Sequence, residues 1–178
     1  MKKDVIPGEP TLRDEALDRI KALLADMDVA MLTTESSDAE LRSRPMTLEK
    51  REFDGELYFL ASSSMTARKD IAAFPRVNVS CTDSKNHRYL ALSGDAEWLD
   101  DRERIRAMWR TWYSAFFPGG PEDPGLGLIR IRVTWAEYWD SPGTMALVWS
   151  LAKSVVTGGH PETATEHHGS VRLDGTPV

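Results

Sequence analysis

Cysteine is almost missing from this chain of 178 residues: there is one, Cys81, so no internal disulfide can form. It falls in the alternating run Val77-Asn78-Val79-Ser80-Cys81-Thr82, where a small thiol belongs to the buried side of a strand. Long apolar runs are also lacking. The longest, Met145 to Trp149, is far short of the roughly 18 residues of a membrane-spanning helix, and the opening MKKDVIPGEP has no apolar segment of a secretory signal. The expectation is a cytoplasmic protein with no membrane partner. Positive charge is in deficit, with 22 Lys and Arg against 28 Asp and Glu for a net charge of −6. That balance argues against a nucleic-acid partner, whose phosphates must be neutralised by many cations, so any phosphate held here is gripped locally. Catalytic constellations are absent too: no CxxC, HExxH, GxSxG or phosphate-loop motif occurs. The histidines His87, His160, His167 and His168 lack metal-ligand spacing apart from the adjacent pair, which reads as solvated tail, so no metal site is expected and no residue stands out as catalytic.

What is present reads as one domain, because a chain of about 150 residues already buries roughly 68–70% of its unfolded surface. Residues 1–10 carry two prolines and a glycine and read as a tail. Thr11 and Asp14 offer capping oxygens, and Leu12, Ala16, Ile20, Leu23, Leu24 and Met27 recur at helical spacing, which predicts a helix over 11–26. The pattern then changes to short apolar runs, VAMLTT, ELRSRPMTL and ELYFLA, the last two separated by a segment with Asp54-Gly55, a dipeptide that favours a hairpin turn. Ser64 to Phe74 reads as a short helix closed by Pro75, followed by strands over 77–82 and 89–99 joined through Asp83-Ser84-Lys85-Asn86. Asp100 and Glu103 have capping-box spacing ahead of Ile105, Met108, Trp109 and Trp112, which predicts an amphipathic helix with an aromatic face packed on the core. Leu128 to Val133 alternates as a strand, Thr144 to Val156 reads as helix, and residues 161–178 as a surface-draped C-terminal tail. Clustered strands without regular βαβ alternation predict an α+β protein with a small antiparallel barrel and peripheral helices.

Two clusters could hold a ligand. After the strand Leu57 to Ala61 comes Ser62-Ser63-Ser64-Met65-Thr66-Ala67-Arg68-Lys69, in which hydroxyls, the free N–H groups of a helix start and two cations are the parts of a local phosphate site. The second is Arg42-Ser43-Arg44-Pro45-Met46-Thr47, where proline in a strand implies an edge or bulge with free backbone groups. Arg42 and Arg44, two apart, share one face and could meet a single anion.

Several segments in order resemble the general stress protein branch of the pyridoxamine 5'-phosphate oxidase-like flavin-binding family. They are Arg44-Pro45-Met46, the 54–59 run DGELYF, Asn78-Val79-Ser80, the 92–97 run LSGDAE, the 116–124 loop FFPGGPEDP and Ala136-Glu137-Tyr138-Trp139-Asp140, over about residues 11–160. The resemblance implies a mainly antiparallel six-stranded split β-barrel of Greek-key type, forming a homodimer with two flavin mononucleotide (FMN) sites at the subunit interface. By position, Arg44, Pro45 and Met46 resemble the strand that meets the flavin ring and phosphate, and Ser64, Thr66, Arg68 and Lys69 resemble the phosphate-binding element. Counting back from Pro75, the family's lysine falls near Ala67, whereas this chain has its cations at Arg68 and Lys69. Tyr89 stands where the oxidase branch has glutamine, and Trp139 corresponds to a tryptophan near the flavin.

FMN brings its own redox chemistry, which accounts for a chain without a nucleophile or acid–base dyad. The implied function is an FMN-dependent oxidoreductase or a flavin-binding protein without turnover, with a scaffold that has lost its flavin as a further alternative. Related barrels accommodate deazaflavin or haem as well, and nothing in the sequence selects among these cofactors. The oxidase branch carries an Arg-x-His motif after its tryptophan, and residues 140–149 of this chain contain neither residue. Oxidation of pyridoxamine 5'-phosphate is therefore not expected.

Overall fold

The computed structural model describes residues 12–49, 53–140 and 167–173. Apolar residues at every second position define its strands. β1 (Val29–Glu35) turns Ala30, Leu32 and Thr34 inward and Val29 and Met31 outward. β2 spans Leu41–Thr47 and β3 Glu56–Ser62. β4 (Arg76–Asp83) and β5 (Arg88–Leu99) repeat the alternation, with Val77, Val79 and Cys81, then Leu90, Leu92 and Ala96, in the core. β6 runs for 15 residues, Leu126–Asp140, and β7 covers His167–Arg172.

The strands form one antiparallel sheet in the order β2-β1-β4-β5-β6-β3, the six expected, with β7 added beside β6. β6 meets β5 along one edge. Its other edge is shared: Leu126 to Arg132 pair with β3, and Trp135 to Asp140 with β7. Between these halves the β5–β6 register shifts at Ser93/Gly94, a bulge that bends the sheet. Glycine is required there, because a Cβ on Gly94 would lie 2.1 Å from the Arg132 carbonyl oxygen.

The helices cover the inner face. α1 (Leu12–Ala25) buries Ile20 and Leu23, and α2 (Thr66–Ala73) buries Ala67, Asp70 and Ile71 and packs on β1 and β5. α3 (Arg102–Met108) seats Ile105 and Met108 in a smaller core with Leu60, Tyr113, Leu126 and Leu128. Cys81 is buried among apolar side chains, and that burial pushes its thiol up to about 12.

Four expectations need correction. The Asp54-Gly55 turn forms, with Gly55 at φ 108°, but β2 and β3 are the two ends of the sheet and not a hairpin. The Gly55 carbonyl instead accepts the Val133 N–H at 2.9 Å, tying the start of β3 to β6. The cap of α3 is Asp101, whose carboxylate accepts the Arg104 N–H at 3.0 Å, and the helix stops at Met108. Trp112 then lies in a 3-10 turn, Thr111–Ala115, and is half exposed, so it is not core. Residues 167–172 of the expected tail are β7, a strand recruited by the unpaired edge of β6. The helix expected over 144–156 lies outside the described residues.

Replacing Gly94 by alanine places a methyl against backbone and is expected to destabilise the fold by about 1–3 kcal/mol. The check is the denaturant midpoint, with an unchanged midpoint contradicting the bulge's role.

Candidate functional site at the open seam

β2 and β3 face one another across the sheet's open ends, and a cavity of about 270 Å³ lies between them. Pro45, Met46 and Thr47 of β2 form one wall and Leu60, Ala61 and Ser62 of β3 the other. Met65, just before α2, and Tyr113, Phe116 and Phe117 of the aromatic turn close its ends. Pro45 suits this place, since a proline ends ladder pairing on one side and leaves the strand at an edge. The Tyr113 hydroxyl donates to Glu49, and burial first, then that bond, pushes its ionisation above the usual tyrosine range.

Arg44 stands beside the cavity wall with its side chain turned to the inner face, next to Leu32 in register. It is 13% exposed, and its Nη2 donates to Asp70 Oδ2 at 3.2 Å. The same oxygen accepts the Thr34 hydroxyl at 2.9 Å. Arg44 Nη1 is buried and has no hydrogen-bond partner. Arg42 does not join it: Arg42 is exposed and paired with Asp38 at 2.9 Å, so the two arginines expected to meet one anion are separated.

The hydroxyl-rich segment divides in the same way. Ser62 lines the cavity and its hydroxyl bonds that of Ser64 at 2.8 Å. Thr66 opens α2, and Met65 at the cap position supplies no side-chain bond, so the helix start keeps N–H groups for another acceptor. Ala67, near where the resemblance places a lysine, is fully buried against the core, where a cation would carry a desolvation cost. Arg68 is exposed with its guanidinium 5.0 Å from the Trp98 ring centre, and Lys69 is exposed.

Tyr89 and Trp139 are paired neighbours on β5 and β6. β1 and β4 separate them from β2, and at about 4.8 Å per strand Tyr89 lies roughly 14 Å from the cavity wall. Register places them on the same outer face as Pro45, Met31 and Val29. That face is open and mixed, with Val29 55%, Met31 40% and Tyr89 42% exposed beside the polar pairs Thr33–Ser43 and Asn78–Ser93. β7 lays His168 flat on Trp139, ring centres 5.2 Å apart, with its Nε2 3.0 Å from Glu137. Asp140 anchors this corner by ion pairs to Arg19 of α1 and to Arg88, the latter at 3.3 Å.

Sequence reasoning passed over Asp70 and Tyr113 and assigned His168 to a solvated tail, whereas it lies in β7 against Trp139. Asp70 had a signal, a carboxylate among Ala67 and Ile71 on an apolar helix face, which demands a buried partner. Tyr113 was hidden by a helix expected to run on, and His168 by a polar stretch with no strand pattern of its own. Among the described residues no cluster of three or more His, Cys, Asp or Glu could hold a metal ion.

A strongly bent antiparallel sheet left open between its end strands, with a cavity in the opening, is a split barrel. The chain belongs to the family described as pyridoxamine 5'-phosphate oxidase like, whose model matches residues 15–162. It is similar to protein bli-3 of Neurospora crassa, 28% identical over 156 residues that cover 82% of this chain and 75% of that protein. Its fold is similar to that of a protein described as general stress protein 26 from Jannaschia sp. CCS1, with TM-score 0.74 at 23% identity over 89% of this chain and 99% of that one. It is also similar to a general stress FMN/FAD binding protein from Xanthomonas citri, with TM-score 0.61 at 24% identity, covering 71% and 89%.

Because Arg68 rests on Trp98, Arg68→Ala is expected to open that indole to acrylamide quenching and to lower stability by about 0.5–1 kcal/mol. Unchanged quenching would mean that the stack does not persist in solution.

Proposed function

We propose that this protein is a cytoplasmic homodimer that binds FMN at the seam and acts as a general stress-type, flavin-dependent oxidoreductase distinct from pyridoxamine 5'-phosphate oxidase. One observation carries the reading: the apolar slot, whose wall begins at Pro45, adjoins along β2 the residue Arg44, whose buried Nη1 has no partner. A buried donor left unpaired costs about 1–3 kcal/mol, a cost that an anionic or carbonyl acceptor would remove. The walls formed by Pro45, Met46 and Met65 suit a flat ring, and the uncapped start of α2 with Ser62 and Ser64 suits a phosphate.

When bound, the flavin would supply the electron-transfer chemistry. The chain's own residues bind it, orient it and keep water from one face. Tyr89 and Trp139 cannot reach the seam of their own chain, so their expected role requires a second copy whose outer face closes the slot. The exposed apolar side chains around Val29 and Met31 favour such a two-fold contact. A flavin holder without turnover is the second reading. It is favoured by the cavity lining, in which, among the described residues, Tyr113 is the one titratable side chain and its hydroxyl is already given to Glu49.

Freshly purified protein is expected to release FMN on denaturation and to scatter light as twice the chain mass. Met31→Asp should yield monomers that bind FMN at least about tenfold more weakly, the scale of one or two lost contacts. Colourless protein that takes up no added FMN would overturn the flavin reading, and a monomer that binds it stoichiometrically would overturn the interface.

FMN-loaded protein is expected not to oxidise pyridoxamine 5'-phosphate. Residues 140–149 contain no arginine or histidine, and the imidazole and guanidinium that β7 brings to this face are engaged, His168 on Trp139 and Glu137 and Arg172 over Trp135. Among the described residues a substrate phosphate would meet no open cation there, and lost positioning lowers turnover by orders of magnitude. Hydrogen peroxide release at about 1 per second or faster, an ordinary enzymatic rate, would refute this.

A further inference from the structure

Among the described residues Asp70 is the one charged side chain held in the core. It lies on the apolar face of α2 with Ala67 and Ile71, where an aliphatic residue would pack without the desolvation penalty of a carboxylate. Packing therefore does not account for it, whereas its contacts do. Oδ2 takes the Thr34 hydroxyl from β1 and Arg44 Nη2 from β2, at 2.9 and 3.2 Å. A guanidinium is planar, so fixing Nη2 also fixes the direction of Nη1, the nitrogen left without a partner. Asp70 sits one turn beyond Thr66, and α2 thus joins the carboxylate rigidly to the uncapped helix start and to the Ser62–Ser64 pair at the cavity.

We propose that Asp70 is a positioning residue for phosphate recognition: it holds Arg44 in the orientation that keeps Nη1 as a donor for the phosphate of a flavin whose ring lies in the seam. This rests on the flavin reading above. The carboxylate does not touch the ligand. It sets the one guanidinium that does, and without its charge the Arg44 side chain would be free to choose other rotamers.

The experiment titrates flavin-stripped protein with FMN and with riboflavin, which differ by the phosphate alone. Wild type is expected to prefer FMN. Asp70→Asn keeps the shape and an acceptor for Thr34, and should lower the preference at least about tenfold, the effect of one charge-assisted hydrogen bond, with riboflavin affinity within about twofold. Thr34→Val, which removes the other bond to Asp70, should lower thermal stability and leave the preference intact. Arg44→Gln should lose the preference, and adding Asp70→Asn to it should cost no more. If Asp70→Asn alone does not fold, that double variant, which leaves no charge buried, still reads out the coupling. Equal losses for both ligands, an equal effect of Thr34→Val, or additive losses in the double variant would overturn the positioning role. Wild type that binds both ligands alike would overturn phosphate recognition altogether, whereas a preference that survives in Asp70→Asn would overturn only the part assigned to Asp70.

Discussion

The architecture depends on β6 serving three strands with two edges. At about 3.4 Å per residue its 15 residues span roughly 50 Å, twice the reach of seven-residue β2 or β3. β5 takes one whole edge, while β3 and β7 divide the other. β3 pairs with β6 along one edge only, its other edge forms no ladder with β2, and the cavity lies where that ladder is missing. The Gly94 bulge bends the β5–β6 pair between the two halves and carries the sheet around toward its own end. The opening lies over a filled core.

The open seam and the bare outer face pose the same physical problem twice. Unpaired strand edges and exposed apolar side chains both invite another chain, and proteins commonly protect them. On this face Val29, Met31 and Tyr89 alternate with the buried set of the same strands, so the period of two that builds the core also builds the outer surface. A contact between two copies would cover that surface and complete a slot that one copy leaves half walled. Assembly and ligand binding would then reinforce one another.

Much of the fold was legible in the sequence because alternation and helical spacing are local signals. The helix over 11–26 is α1, and the strands over 77–82 and 89–99 are the cores of β4 and β5. What remained hidden depended on partners distant in sequence. Asp54-Gly55 signals a turn, but not that β3 leaves it to join a strand 70 residues later. His167 to Arg172 carry no strand pattern because β7 depends on the edge β6 offers, rather than on its own apolar face. In the candidate site, Pro45 and Met46 were legible from proline's place in a strand, and they line the cavity. A cation beside serines reads as a phosphate ligand, and for Arg68 the fold adds what the sequence could not show, that Trp98 is near enough to stack with it.

That displacement changes how an anion would be held. With Ala67 buried in the core and Arg68 on Trp98, the guanidinium that adjoins the seam along β2 is that of Arg44, whose charge Asp70 already balances. The pair is nearly neutral overall, so its pull on a phosphate at long range is weak. Under the proposed reading, recognition of a phosphate would rest on short, directed hydrogen bonds, from Nη1 and from the N–H groups that open α2, which act only at contact distance and in one geometry. A site of this kind discriminates by shape more than by charge. It also fits an acidic chain, whose general field repels anions and leaves phosphate binding to groups arranged at a single place.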